Sequence, residues 1–218
     1  MKSINWKDHL INLLVVVIGI TAAFYLESWK ESNSDDRLEA KYLQSLSEDL
    51  QQDLGYIDTL RSIDQTQINA LKRLTAATIG PDYSEDSLLY YIRFIQFSVN
   101  FTPQSVTYES MKFSGKLDII EDFEFRNRIV GLYEQYYRAV REIDGAVAHY
   151  VENFVQPYSI EHIVLSYDRV ISREFLSDYR FKNIIFPLRG LMIRRLEFYE
   201  ELRQEVQEIK AQLDPESE

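Results

Sequence analysis

The chain has no cysteine, which excludes disulfides, thiolate nucleophiles and every cysteine-ligated zinc or iron–sulfur site. Histidine is nearly as scarce, with three residues, His9, His149 and His162. No HExxH or Glu-x-x-His spacing gathers them into a metal cluster, so they read as surface or hydrogen-bonded polar groups. The phosphate-cradling GxxxxGK[ST] and GxGxxG loops and the GxSxG elbow are missing as well. No catalytic residue, metal ligand or cofactor is therefore expected. Seven glycines and five prolines in 218 residues are too few for the turns of an all-β protein. Positive charge is also short: 24 Lys and Arg stand against 35 Asp and Glu, a formal net charge of -11. That balance argues against nucleic acid or an anionic membrane surface as the partner.

Hydrophobic residues make up 45% of the chain, enough for a sizeable core, but they are unevenly spread. Leu10 to Leu26 reads LINLLVVVIGITAAFYL, with only Asn12 and Thr21 noticeably polar. As a helix it spans about 25 Å, a little short of the ~30 Å hydrocarbon slab. The only two tryptophans, Trp6 and Trp29, flank it. They lie about 35 Å apart along a helix, where an indole at each headgroup level anchors the span. A buried core helix or a cleaved signal peptide, with Thr21-Ala22-Ala23 as its small-residue site, fits less well. The apolar run continues through Phe24, Tyr25 and Leu26, and an uncleaved signal anchor is expected. Gly19, Ala22 and Ala23 form a small-residue notch of the kind that lets two helices associate in lipid. The expected organisation is a short cytoplasmic segment over 1–9 and a transmembrane anchor over 10–29. A helical extramembrane domain over 30–213 and a tail over 214–218 follow. Residues 1–31 carry three basic and three acidic side chains, so the whole net charge falls on the domain.

Beyond the anchor, apolar residues recur at steps of three and four, the mark of a buried helical stripe. The first stripe runs over Ser32–Thr78. Ser34, Asp35 and Asp36 offer capping oxygens at a weak joint, and Gly80-Pro81 offers a stop. Shorter helices are predicted over Ser84–Val99 and Gln104–Ser114, the latter closed by Gly115 in a left-handed conformation with Ser114 and Asp118 tying the corner. A long helix over Asp122–Val155 should bury Phe125, Ile129, Leu132, Tyr136, Val140, Ile143, Val147, Val151 and Phe154, and end at Pro157. Ile160–Tyr167 suits a short helix or an extended run equally. The last helix should begin near Pro187 and bury Leu191, Leu196, Tyr199, Leu202, Val206, Ile209 and Leu213. The fold class is all-α, one membrane helix followed by an antiparallel bundle of long amphipathic helices.

The abundant carboxylates, among them Glu48, Asp49, Asp53, Glu200, Glu201, Glu205 and Glu208, read as solvated helix faces. Tyr83, Tyr90, Tyr91, Tyr108, Tyr133, Tyr136 and Tyr137 read as core fillers with hydroxyls at the rim rather than as a ligand pocket. Arg189, Arg194 and Arg195 form a basic cluster that could bind an anion but is expected to pair with carboxylates of the chain itself.

Two segments carry a resemblance. One is Ile18-Gly19-Ile20 through Ala23 to Trp29-Lys30-Glu31, followed by Glu39, Leu43, Leu46, Asp49, Leu50 and Asp53. The other is the run from Thr107 to Leu117, continuing to Ile120, Asp122, Arg126, Ile129, Tyr133 and Tyr136-Tyr137. Together, over about residues 10–140, they resemble an uncharacterised family of bacterial proteins with one amino-terminal membrane anchor and a helical extramembrane region. The resemblance implies the inner membrane of a Gram-negative cell, and it brings no known activity. With the amino terminus cytoplasmic, the acidic domain lies in the periplasm. The expected function is a non-enzymatic scaffold or accessory subunit in a membrane protein assembly, with lipid and either a protein partner or a second copy as its contacts. A ligand-sensing bundle that signals through a partner and an oligomeric pore are the alternatives. The pore ranks last, because Asn12 and Thr21 are too little to line a water-filled path.

Overall fold

The computed structural model describes residues 6–80, 85–164 and 170–214, with side chains from residue 13 onward except those of Glu31, Glu85 and Asp86. The side chains of Trp6, His9 and Tyr83 lie outside the described residues. Every long element among the described residues is helical, as the spacing of apolar residues predicts. Helix α1, Trp6–Ala77, is 72 residues long, about 108 Å from end to end. The expected joint at Ser32–Asp36 is absent. No glycine or proline lies between Gly19 and Gly55, so nothing interrupts the i→i−4 ladder, and Ser34, Asp35 and Asp36 are mid-helix residues rather than caps. The helix ends where the amide of Gly80 bonds Ala76 O at 3.2 Å.

Helix α2, Glu85–Phe94, packs on the distal end of α1, far from the apolar run. An irregular segment, residues 95–105, then leads to α3, Val106–Phe113. Gly115 closes α3 with a φ of +67°. The amide of Lys116 reaches Met111 O at 2.8 Å and that of Gly115 reaches Lys112 O at 3.3 Å, the paired bonds of a Schellman turn. Gly115→Ala would force a Cβ into the left-handed region. A loss of about 1 kcal/mol is expected in a denaturant titration.

The next helix is longer than its sequence implies. It runs from Phe123 to His162 as α4 (Phe123–Gly131), α5 (Tyr137–Tyr150) and α6 (Gln156–His162), joined by π-helical turns at Leu132–Tyr136 and Val151–Val155. Each π turn accommodates one extra residue, so the buried stripe slips by a position. Tyr137 and Val155 are buried where Tyr136 and Phe154 were expected, and those two lie exposed. Asp144 likewise takes the central place expected for Ile143. Pro157 does not end the helix. The amide of Gln156 bonds Val151 O, five residues back, and this widened turn makes room for the proline ring at the start of α6. Ile160–His162 complete α6, Val164 O accepts the amide of Ile171 at 2.8 Å, and residues 165–169 fall outside the described residues.

Helix α7, Tyr179–Leu213, starts eight residues before Pro187. Asp178 caps it, its Oδ1 accepting the Arg180 amide at 2.8 Å. Pro187 deprives Asn183 O of its usual donor. The Tyr150 hydroxyl stands in, 3.5 Å from Asn183 O and 3.2 Å from Ile184 O. Leu191 and Leu196 are half-buried; Met192 and Arg195 take the central positions.

Helix α7 runs antiparallel to α1 along the bundle, and α5 packs against α7. The core divides into two apolar clusters. The distal one gathers Ile68, Leu71 and Leu74 with Leu88, Ile92, Val147, Val151, Ile185 and Met192. The proximal one gathers Leu46, Leu50, Ile57 and Leu60 with Met111, Leu132, Val140, Leu202 and Val206.

Candidate functional site: a buried polar layer

Between the two clusters each long helix contributes a buried polar residue. Asp64 and Gln67 come from α1, Asp144 from α5 and Arg195 from α7, none more than 2% exposed. Arg195 binds Asp64 through two parallel contacts, with Nε 2.8 Å from Oδ2 and Nη2 on Oδ1. Its Nη1 donates to Ser98 Oγ at 2.8 Å and lies 3.8 Å from Asp144 Oδ1. Asp144 in turn accepts the Tyr199 hydroxyl at 2.7 Å and the Phe101 amide at 2.8 Å.

A second buried carboxylate, Asp53, lies some three turns nearer the apolar run. It accepts the Tyr137 hydroxyl at 2.5 Å and the Gln104 amide at 2.9 Å. Burial pushes its pKa up to about 6, against the pull of those two donors, and neighbouring Asp49 adds to the rise. Burial also raises the Asp64 and Asp144 carboxyls, each opposed by its own hydrogen bonds. For Arg195, burial works against the charge, but the bonds to Asp64 prevail and the cation is retained. The forked geometry makes Asp64–Arg195 an ion pair.

These side chains converge on one object, the irregular segment 95–105. Gln67 Nε2 donates to Phe94 O and Phe97 O at 2.7 and 2.9 Å, and Gln156 Nε2 donates to Gln96 O at 2.8 Å. The Tyr56 hydroxyl donates to Asn100 O at 3.0 Å. A chain without secondary structure has backbone groups that cannot be left dry. Here side chains of α1, the long middle helix and α7 supply the partners. The layer is a clamp: its carboxylates are filled by protein donors, and no group of three or more potential metal ligands occurs among the described residues.

Asp53 was expected on a solvated face; it is 1% exposed. The expectation failed because its spacing was read by residue type alone. Asp53 stands three residues after Leu50 and four before Ile57, and Asp64 four after Leu60 and four before Ile68, in phase with the buried stripe. Charged residues at stripe positions were the available signal. Glu48, Glu201 and Glu208 are exposed, and Glu200 and Glu205 pair with Arg61 and Arg128. Arg195 is fully buried, whereas Arg194 is exposed beside Glu197 and Arg189 lies over the Phe186 ring. Tyr108, Tyr133 and Tyr137 fill the core, Tyr108 and Tyr133 stacked at 4.2 Å, while Tyr90 and Tyr136 are exposed. His149 contacts Asn153, and His162 lies 3.5 Å from Glu161.

At the corner, Ser114 Oγ donates to Ser110 O at 2.7 Å; Asp118, 90% exposed, lies 3.5 Å from Arg126 Nη1, which also holds the turn through Ile120 O at 2.9 Å. Trp29, Gly19, Ala22 and Ala23 all lie on the unpacked part of α1, and a Cβ at Gly19 would meet nothing within 4 Å.

A continuous first helix, apolar and unpacked at one end and joined to a clamped bundle at the other, defines an all-helical class of chain with one candidate membrane span. The chain belongs to the Family of unknown function (DUF6090), whose profile matches residues 12–185. That match extends beyond the segments that carried the resemblance and takes in Asp53, Asp64 and Asp144, stopping short of Arg195. No curated protein and no solved structure matches the chain significantly.

Proposed function

We propose that the protein is a non-enzymatic, single-pass inner-membrane scaffold or accessory subunit, with its helical domain in the periplasm. One observation carries the reading. The large apolar side chains between Leu13 and Leu26 are 52–73% exposed and touch no other element, yet they belong to the same helix that forms the bundle core. Each such side chain gains about 1.5–3 kcal/mol on leaving water. A bilayer supplies that environment over a matching length. The polar stretch Glu27–Arg37 leaves the span as unbroken helix. From Leu26 to Ala77 the helix rises about 75 Å, so the bundle stands at a set height above the lipid. The filled carboxylates of the central layer favour a structural role over catalysis.

The cysteine-free sequence makes single-cysteine labelling clean. A membrane-impermeant maleimide is expected to label Gln51→Cys in spheroplasts and Ser3→Cys only after the membrane is opened. Val17→Cys should stay protected in both. Labelling of Val17→Cys as readily as Gln51→Cys would place the apolar run in water and sink the reading.

A further inference from the structure

The bundle is acidic overall, but its charge is segregated. Residues 66–79 of α1 and 179–196 of α7 together hold seven basic side chains and not one acidic side chain, in a chain of net charge -11. Arg195 is consumed in the buried layer. Lys72, Lys182 and Arg189 make no ion pair among the described residues. These two stretches face one another at the distal end and frame an apolar groove of about 600 Å³ that includes Ile79 and Phe186. Ile79 is 85% exposed and Phe186 63%. A second groove of about 550 Å³ continues along the same pair of helices, where Ile193, Leu196 and Gln65 are joined by the carboxylates Asp58, Glu197 and Glu200, each paired with an arginine, Arg61, Arg194 or Arg203. Lys72 lies seven residues from both Gln65 and Ile79, on the same helical face, and so bridges the two grooves. On α7, Phe186 and Ile193 are spaced by seven residues, with Arg189 between them.

We infer that this α1–α7 groove docks an acidic amphipathic helix of a partner protein. Three chemical features select that occupant. Apolar positions seven residues apart match the anchors of a helix laid along a groove. Lys182 lines the distal groove, Arg189 lies over its Phe186 and Lys72 stands on the neighbouring turns of α1, so carboxylates are called for at the flanking positions of the docked helix. The distal end also offers the partner an approach free of acidic side chains on these two stretches, on a molecule whose net charge otherwise repels acidic proteins. The inference rests on the scaffold reading and gives it a docking surface, far from the proposed membrane.

The test uses the full chain in nanodiscs of zwitterionic lipid. The probe is a fluorescent amphipathic peptide of about 18 residues, about 27 Å long as a helix, with leucine anchors and glutamate flanks. Its counterpart carries lysine in place of every glutamate. Saturable binding of the glutamate peptide, weakened by salt, is expected. Lys182→Glu with Arg189→Glu should weaken it about tenfold, and Phe186→Asp should act in the same direction. Arg73→Glu, on the exposed face beside Lys72, should leave binding unchanged, and circular dichroism confirms that each variant is folded. Equal binding of the lysine peptide, or equal damage from Arg73→Glu, overturns the inference. So does tighter binding of phosphatidylglycerol vesicles through the same residues, or a dimer of the full chain that Phe186→Asp dissociates. Failure of the scaffold reading shows separately, in the maleimide labelling and in the mass of the extracted particle.

Discussion

Arg195→Met is expected to destabilise the bundle by about 3–5 kcal/mol, the cost of leaving a buried carboxylate without its cation. Arg195 is 0% exposed and faces two carboxylates, Asp64 and Asp144, neither of which pairs with another cation among the described residues. The methionine fills similar volume, so the loss reports charge rather than a cavity. Thermal and denaturant unfolding followed by circular dichroism measures it. Hydrogen exchange adds a local reading: the Phe101 amide, bonded to Asp144, should lose protection with its neighbours in segment 95–105. The double variant Asp64→Leu with Arg195→Met should recover part of the stability, since it removes both members of the forked pair. Recovery stays partial because Asp144 remains buried. A loss below about 1 kcal/mol for the single variant would mean that water reaches the layer.

Asp53 gives the second large effect, and its sign is opposite to that of an ordinary salt-bridged carboxylate. Its folded pKa, pushed up to about 6, lies above the 3.8 of an unperturbed aspartate. Between those values the folded chain holds a proton that the unfolded chain has released, so stability falls as pH rises through this window. The shift corresponds to a cost of about 3 kcal/mol at neutral pH relative to pH below 4. Asp58, Glu134 and Asp214, all depressed by cationic neighbours, work the other way and lose their contribution at low pH. The comparison therefore has to be between the native chain and Asp53→Asn. The asparagine can still accept the Gln104 amide and donate to the Tyr137 oxygen. It is expected to be the more stable chain at pH 7.5, with the difference closing toward pH 4. A difference constant with pH would show that Asp53 does not titrate in this range.

The helices were legible because their cores repeat at three and four. The features that escaped are those that break the period without breaking the helix. The two π turns add a residue each and move the stripe from Tyr136 to Tyr137 and from Phe154 to Val155. Pro157 reads as the end of a helix and Pro187 as the start of one, yet the first follows a widened turn and the second lies mid-helix, with its missing donor replaced by Tyr150. The clamp was hidden for a different reason. Asp53, Asp64, Asp144 and Arg195 sit at core positions of the stripe; a reading by residue type assigns such aspartates to solvent and gives Arg195 a carboxylate partner, as Asp64 is, without showing that the pair is buried. Their partner, segment 95–105, has no periodicity to announce it, and the pairing joins residues as much as 131 positions apart. The distal groove depends on α1 and α7 lying side by side, which brings together two acid-free stretches more than a hundred residues apart.

The central claim, a membrane-held scaffold, is tested most directly by the mass of the particle extracted from native membranes without detergent, in polymer-bounded nanodiscs. The account predicts a defined assembly heavier than the 25.8 kDa chain, carrying a stoichiometric second polypeptide or further copies. A homogeneous particle holding one 25.8 kDa chain and lipid alone, across salt concentrations, would contradict it.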